Sequence, residues 1–267
     1  MTDTRPGAHA GSRPGSLPTI GGVSDLLVCH LGRVPYEEGL EIQERLRSRV
    51  QDGELGDVML LLEHDPVYTL GRRSGEDDLP LGADWCRAQG IEVVKTRRGG
   101  KLTYHGPGQL VGYPIMRVGD VPAFVADMER AIVDALAQAG VQARPRSAEG
   151  REYTGVWVQD RKIASIGVHI SRGVSAHGFA VNVTNDLAPF TWVVACGLPS
   201  VSMTSLAQEG SPEGVPCFRK RMAYRFAQTF GRRQRLITPE RLGIAGGGGA
   251  VAASGAGRPQ PVGTLEP

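Results

Sequence analysis

Lysine is scarce in this chain. Of 30 basic side chains among 267 residues, only Lys95, Lys101, Lys162 and Lys220 are lysines; the rest are arginines. Charge of one sign is also lacking: the formal net charge is +2, and no Lys/Arg cluster is interleaved with aromatics, which argues against nucleic-acid binding. No apolar run approaches the ~20 residues of a membrane span, and the N-terminal stretch has no apolar core of a secretory signal. Cysteines number four, Cys29, Cys86, Cys196 and Cys217, and none forms a C-x-x-C pair. A disulfide framework is not expected in a chain this long without an export signal, and a cytoplasmic chain with reduced thiols is expected. The shortage of lysine raises a chemical question. Lysine can release its proton and arginine cannot, so each lysine in an arginine-rich chain is a candidate for chemistry as well as for solvation.

Residues 1–22 and 245–267 are rich in Gly, Pro, Ser or Ala and have no apolar period. Neither stretch can bury enough surface to offset its ordering entropy, so both are expected to be disordered, dispensable tails. The segment 23–244 is expected to form one domain. Apolar residues at helical spacing predict helices over Pro35–Val50, over Val121–Ala139 with Gly140 as the stop, and from Val215 to Phe230. Strands are predicted at Asp57–Glu63, Ile91–Thr96 and Gly178–Thr184, and T-G-V-W-V and K-I-A-S-I-G-V-H-I flank Q-D-R as a hairpin. Strands and helices do not alternate, so the expected fold class is α/β in the α+β sense: a mixed sheet with packed helices, not a doubly wound parallel sheet.

The most unusual stretch is R-R-G-G-K-L-T-Y-H-G-P-G-Q-L-V-G-Y-P-I, Arg97–Ile115. Its glycines and prolines rule out a helix and speak against a plain central strand. It fails the dinucleotide fingerprint, because G-P-G-Q-L-V-G has one residue too many and runs on as strand. It fails the phosphate-loop pattern as well, because Gly99, Gly100, Lys101 and Leu102 have the wrong spacing. A tight turn with His105 as a hydrogen-bonded turn residue is the plain alternative. Two further residues draw notice. Lys162 opens an apolar strand just after a turn, and Cys196 ends an apolar run before Gly197. A cysteine placed so can lie over free backbone N–H groups, and a nearby lysine can take up its proton. Read singly, a buried cysteine is more often inert and a strand-edge lysine more often solvated.

Taken in order, R-G-G-K-L-T-Y-H-G-P-G-Q, K-I-A-S-I-G-V-H-I, G-F-A-V-N-V, C-G-L and T-S-L strongly resemble the lipoyl(octanoyl) transferases of lipoic acid biosynthesis, which belong with the lipoate and biotin protein ligases. The resemblance covers Leu26 to Arg232. It implies one α/β domain of the biotin/lipoate protein ligase type. It also implies transfer of an octanoyl group from octanoyl-acyl carrier protein to a lysine of lipoyl domains, in 2-oxo-acid dehydrogenase E2 subunits and the glycine cleavage H protein. No cofactor, metal or ATP is implied, and a monomer is expected. The family's acyl-thioester nucleophile falls on Cys196, and the lysine that lowers the thiol's pKa and moves its proton falls on Lys162. The substrate-binding stretches fall on Arg98, Gly99, Gly100, Lys101, Leu102, Thr103, Tyr104 and His105, on Ser165, Ile166 and Gly167, and on Gly178, Phe179 and Ala180. His169 departs from the arginine that many relatives carry. His177 is expected to be a surface turn residue.

On this reading Gly99, Gly100, Gly106 and Gly108 let the backbone pass close to a slot for an eight-carbon chain. His105 is either a polar group near the thioester or a clasp for its own loop. Two competitors follow from the same residues. An ATP-dependent lipoate or biotin ligase of this fold needs no cysteine, so the pair Cys196 and Lys162 weighs against it. A non-catalytic lipoyl-domain binding protein would tolerate loss of Cys196, and the full set of motif residues weighs against that.

Overall fold

The computed structural model describes residues 24–198 and 201–244, without the side chain of Cys196. The tails expected at 1–22 and 245–267 lie outside the described residues. Strand β1 (Asp25–Val34) leads into helix α1 (Tyr36–Gln51) and strands β2 (Asp57–His64) and β3 (Val67–Leu70). The short helix α2 (Gly82–Ala88) precedes β4 (Glu92–Lys95), β5 (Thr103–His105), β6 (Gln109–Ile115) and helix α3 (Val121–Gln138). Strands β7 (Arg144–Pro145), β8 (Gly155–Val158), β9 (Arg161–Ser171) and β10 (Val174–Asn182) follow. The described chain closes with β11 (Ser202–Met203), helix α4 (Val215–Thr229), β12 (Arg233–Leu236) and a short turn of helix at Glu240–Leu242.

The large sheet has the order β12-β1-β2-β6-β10-β9-β8-β7, with β11 added at β9. β1 is parallel to both β2 and β12, and β11 is parallel to β9; the other pairs are antiparallel. A second sheet, β4-β3-β5, carries the first half of the glycine-rich stretch. The mixed α/β class is as expected; the second sheet is an addition to it. β2 shows why its sequence reads as one apolar run. Met59 and Leu61 face α3 and α4, meeting Met128, Ile132, Phe218, Met222 and Phe226. Leu60 and Leu62 face α1, meeting Ile42, Leu46 and Val50. A strand buried on both faces needs no polar alternation, and each such side chain contributes about 1.5–3 kcal/mol. Helix α3 starts where Asp120 Oδ1 accepts from Ala123 N at 3.1 Å and stops before Gly140, at φ +84°.

The second half of the glycine-rich stretch runs on as strand, as expected, but as a central one, against expectation. β6 is a fully buried central strand despite Gly112 and Pro114. A side chain at Gly112 would collide with the Phe179 ring, and one at Gly178 would collide with the Gly112 carbonyl. The missing side chains therefore allow β6 and β10 to approach. The β6–β10 register ends at Gly112 with Phe179, so Pro114 breaks no pair on that side.

Candidate active site

Lys162 is the second residue of β9, directly after a hairpin turn in which Gln159 has φ +53°. It is 2% exposed, so it is not a solvated edge charge. Its Nζ lies 5.2 Å from the Trp157 ring centroid, and Gly155 packs so closely that a Cβ there would sit 2.9 Å from Lys162 Cε. Its carbonyl accepts from Thr204 N at 3.0 Å, and β11 pairs Met203 with it. Lys162 opens into a cavity of about 530 Å³. Ser165, Ile166 and Gly167 on β9 and Gly178, Phe179 and Ala180 on β10 form one wall. Arg98, Gly99, Gly100 and Lys101 form a second, and Val121, Val125 and Glu129 of α3 a third.

The glycine turn is held by Arg98. This guanidinium donates to Thr69 Oγ1 at 2.8 Å, to Gly99 O at 3.0 Å, to Lys101 O at 2.7 Å and to Thr69 O. Gly100 has φ +84°, a conformation that costs other residues energy. Gly99 N donates to Val168 O at 2.9 Å, docking the turn on β9. Along β5 the side chains alternate, so Thr103 and His105 face the cavity while Leu102 and Tyr104 turn into the core with Tyr68 and Phe190. Leu102 and Tyr104 are thus in the expected stretch but not on the cavity wall. Nor do Gly106 and Gly108 line it. Gly106 makes room for the Tyr104 ring, and Gly108, at φ +86°, lies against Asn185.

His105 clasps its own loop: its Nδ1 donates to Gln109 Oε1 at 2.8 Å, and Gln109 Nε2 donates to Asn182 Oδ1 at 2.9 Å. Its ring stacks on Tyr36 at 5.9 Å while also facing the cavity. Burial, then the neighbouring His64, pushes its pKa well below the ordinary value, so it is neutral. His64 donates from Nδ1 to Val34 O at 2.6 Å and accepts from Tyr113 OH at 2.7 Å. Its pKa is lowered to about 4 by burial. His177 corrects an expectation. It is no surface turn residue but lies 6% exposed within β10, at φ +57°, facing the cavity. Burial, then Arg98, lowers its pKa to about 3. Burial also raises the Tyr36 hydroxyl to about 12. The wall that His105, His177 and Tyr36 give the cavity is thus polar and uncharged, with Arg98 the cation beside it.

The backbone of Cys196 lies in the short turn Ala195–Gly197, beside β5 and residues 151–153. Asp78 ties this segment to the glycine turn. Its carbonyl accepts from Val194 N at 3.1 Å, and its carboxylate pairs with Lys101 Nζ at 3.2 Å. Gly197, at φ +74°, lies against the Lys101 stem. The fold therefore brings the glycine turn and the β9–β10 wall to one cavity and sets the backbone of the Cys196 segment beside Lys101 and residues 151–153 at its edge.

Sequence reasoning missed Glu129, Asp78, His64, Tyr36 and Tyr113. Glu129 is 2% exposed, and its carboxylate accepts from Gly155 N and Ser147 Oγ, both at 2.9 Å. A signal existed: Glu129 stands four residues after Val125 and three before Ile132, on the apolar stripe of α3, where a carboxylate needs partners.

The family model of the lipoyl protein ligase A/B catalytic domain matches residues 35–227. The chain belongs to this family. Among similar curated proteins, the octanoyltransferase of Solibacter usitatus is 46% identical over 208 residues, covering 75% of this chain and 90% of that protein. The octanoyltransferase of Acidobacterium capsulatum is 42% identical over 225 residues, covering 78% and 89%. Solved structures support the fold. A lipoate-protein ligase A bound with ATP superposes with a TM-score of 0.64 at 17% identity, covering 82% of this chain and 92% of the other. A bi-partite lipoate protein ligase from Thermoplasma acidophilum does so with 0.65 at 17%, covering 82% and 90%.

Proposed function

We propose that this family member is an octanoyltransferase that moves an octanoyl group from octanoyl-acyl carrier protein to a lysine of lipoyl domains, in E2 subunits and the glycine cleavage H protein. One catalytic domain over 23–244, acting as a monomer in a reducing cytoplasm, carries the activity. The observation that carries the reading is Lys162: a buried lysine facing a cavity lined by Lys101 and residues 151–152, against which the backbone of the Cys196 segment packs, in a chain whose curated relatives are octanoyltransferases.

The chemistry follows from these groups. The Cys196 thiol passes its proton toward Lys162 and attacks the thioester carbonyl. The carrier's thiol leaves and takes up a proton, so one thioester replaces another. The acceptor lysine, as a neutral amine, then attacks the acyl-enzyme. An amide forms, and the Cys196 sulfur departs as thiolate and is reprotonated. Amide formation from a thioester is downhill, so no nucleotide enters. The apolar wall of Ile166, Phe179, Val121 and Val125 suits the alkyl chain. The missing side chains of Gly99, Gly100, Gly167 and Gly178 let backbone lie against it. The ligase reading requires ATP and offers Cys196 no task; the binding-protein reading offers none to Lys162 either. The test is transfer itself. Octanoyl-acyl carrier protein and a lipoyl domain should yield octanoylated domain at an equal rate with and without ATP. Strict ATP dependence with free octanoate would replace the proposal by the ligase reading.

A further inference from the structure

Two turns meet at the mouth of the cavity. Residues 71–74 follow β3 and residues 96–100 precede β5. They are laced together, with Arg72 N donating to Arg98 O at 3.0 Å, Arg73 N to Gly100 O at 3.2 Å and Thr96 N to Leu70 O at 2.8 Å. A Cβ on Gly71 would sit 2.8 Å from Arg98 Nη1, so the turns are in close contact. This arrangement brings the exposed Arg72, Arg73 and Arg97 into one group, with Lys95 at its edge. None of the four forms an ion pair among the described residues, whereas neighbouring Arg47 is paired with Glu44 and Lys101 with Asp78. Arg72, Arg97 and Arg47 also surround His169, whose imidazole is held toward neutrality by burial and then by these three cations. Glu76 and Asp77, exposed on the following turn, mark where the patch ends. With a net charge of +2, the chain as a whole is not basic, so this is a local concentration of positive charge.

Its position matters more than its size. Arg73 reaches the cavity lining. Its backbone holds Gly100, which adjoins Lys101, and Lys101 lies against Gly197 beside Cys196. A body seated on the rim would project a flexible arm into the cavity toward that turn. Unpaired guanidinium groups suit phosphate and carboxylate partners, and such fields speed the encounter of oppositely charged proteins.

We propose that Arg72, Arg73 and Arg97 form the docking rim for an acidic carrier protein that presents the acyl thioester on a phosphate-bearing arm. This rests on the carrier-borne donor proposed above. The test is single-turnover acylation with three donors: octanoyl-carrier protein, octanoyl-phosphopantetheine and octanoyl-pantetheine. In the variant Arg72→Glu/Arg97→Glu, kcat/KM for the carrier donor should fall at least about tenfold, through KM, while octanoyl-pantetheine stays within about twofold. The pantetheine arm also reports that the variant is folded. With the unaltered protein, added salt should slow the carrier reaction steeply and leave octanoyl-pantetheine nearly unchanged. Equal loss with octanoyl-pantetheine would overturn the proposal, because the arginines would then act on the cavity. An equal fall with octanoyl-phosphopantetheine would overturn protein docking in favour of the phosphate alone. Loss confined to discharge onto a lipoyl domain would assign the rim to the acceptor and overturn it too. Failure of the unaltered protein to be acylated by any donor is a different result, and would remove the transfer reading itself.

Discussion

Lys162 differs from the other lysines in its surroundings. It is walled by Trp157 and Gly155, with a cavity in front of it. Lys162→Arg keeps a cation but removes the group that can accept and release a proton. Its larger planar head must also fit where Gly155 leaves little room. Acylation by octanoyl-carrier protein should slow by at least about a hundredfold in Lys162→Arg and Lys162→Ala alike, the scale of a lost general base. Near-normal rates for Lys162→Arg in a stopped-flow acylation assay would reduce its role to charge alone. The buried histidines make a second statement. His64 and His177 have folded pKa values depressed to about 4 and about 3, from an ordinary 6.5. The unfolded chain therefore binds more protons than the folded one below that value. Stability is full above pH ~6.5 and is lost as pH falls toward 4, by about 1.4 kcal/mol per histidine per pH unit. Melting temperature should hold from pH 8 to 7 and fall steeply from 6.5 to 4.5. His177→Asn tolerates the positive φ and cannot titrate there, so its curve should be shallower over that interval. Superimposable curves would show that His177 protonates as freely in the folded protein as in the unfolded one.

Among the elements, those with a period were legible. The stripe on α3, the both-face-buried run of β2, the β8–β9 hairpin and helix α4 formed within a residue or two of expectation. β10 began four residues early: Val174–His177 alternates apolar and polar, but four residues with the small Ala176 and two polar side chains are too short a signal beside the Arg172–Gly173 turn. β6 formed as the strand the sequence runs on into, but its place at the centre of the sheet was not legible, for a physical reason. Glycine and proline are poor strand residues by themselves, but Gly112 answers a demand from Phe179 that exists only once β10 lies beside it. The cavity was half legible: the order of motifs named most of its wall, while the alternation that sends Leu102 and Tyr104 away from it appears only with β5 in place. His64 and Tyr36 lie far from those motifs in sequence, and Tyr113, inside the glycine-rich stretch, reads there only as a strand residue. The β6–β10 approach yields a prediction at this scale. Gly178→Ala would force its Cβ against the Gly112 carbonyl and the Pro114 ring. Overpacking of this kind costs about 1–3 kcal/mol. Thermal unfolding should report a drop of several degrees, with the cavity wall distorted and transfer impaired. An unchanged melting temperature would mean that the strands have room to part.

At the scale of the whole molecule, one architecture is shared with ATP-bound ligases at 17% identity, so the fold alone does not choose the chemistry. The choice rests on what the fold brings to the cavity, and the central claim is a covalent acyl-enzyme on Cys196. Intact-mass analysis after mixing the protein with octanoyl-acyl carrier protein, without acceptor and without ATP, tests it most directly. The account predicts one added octanoyl group, about 126 Da, removed by hydroxylamine and discharged onto a lipoyl domain as an amide. The adduct should be absent from Cys196→Ala and present in Cys29→Ala, Cys86→Ala and Cys217→Ala. An adduct that persists in Cys196→Ala, or transfer that proceeds in that variant, would contradict the account.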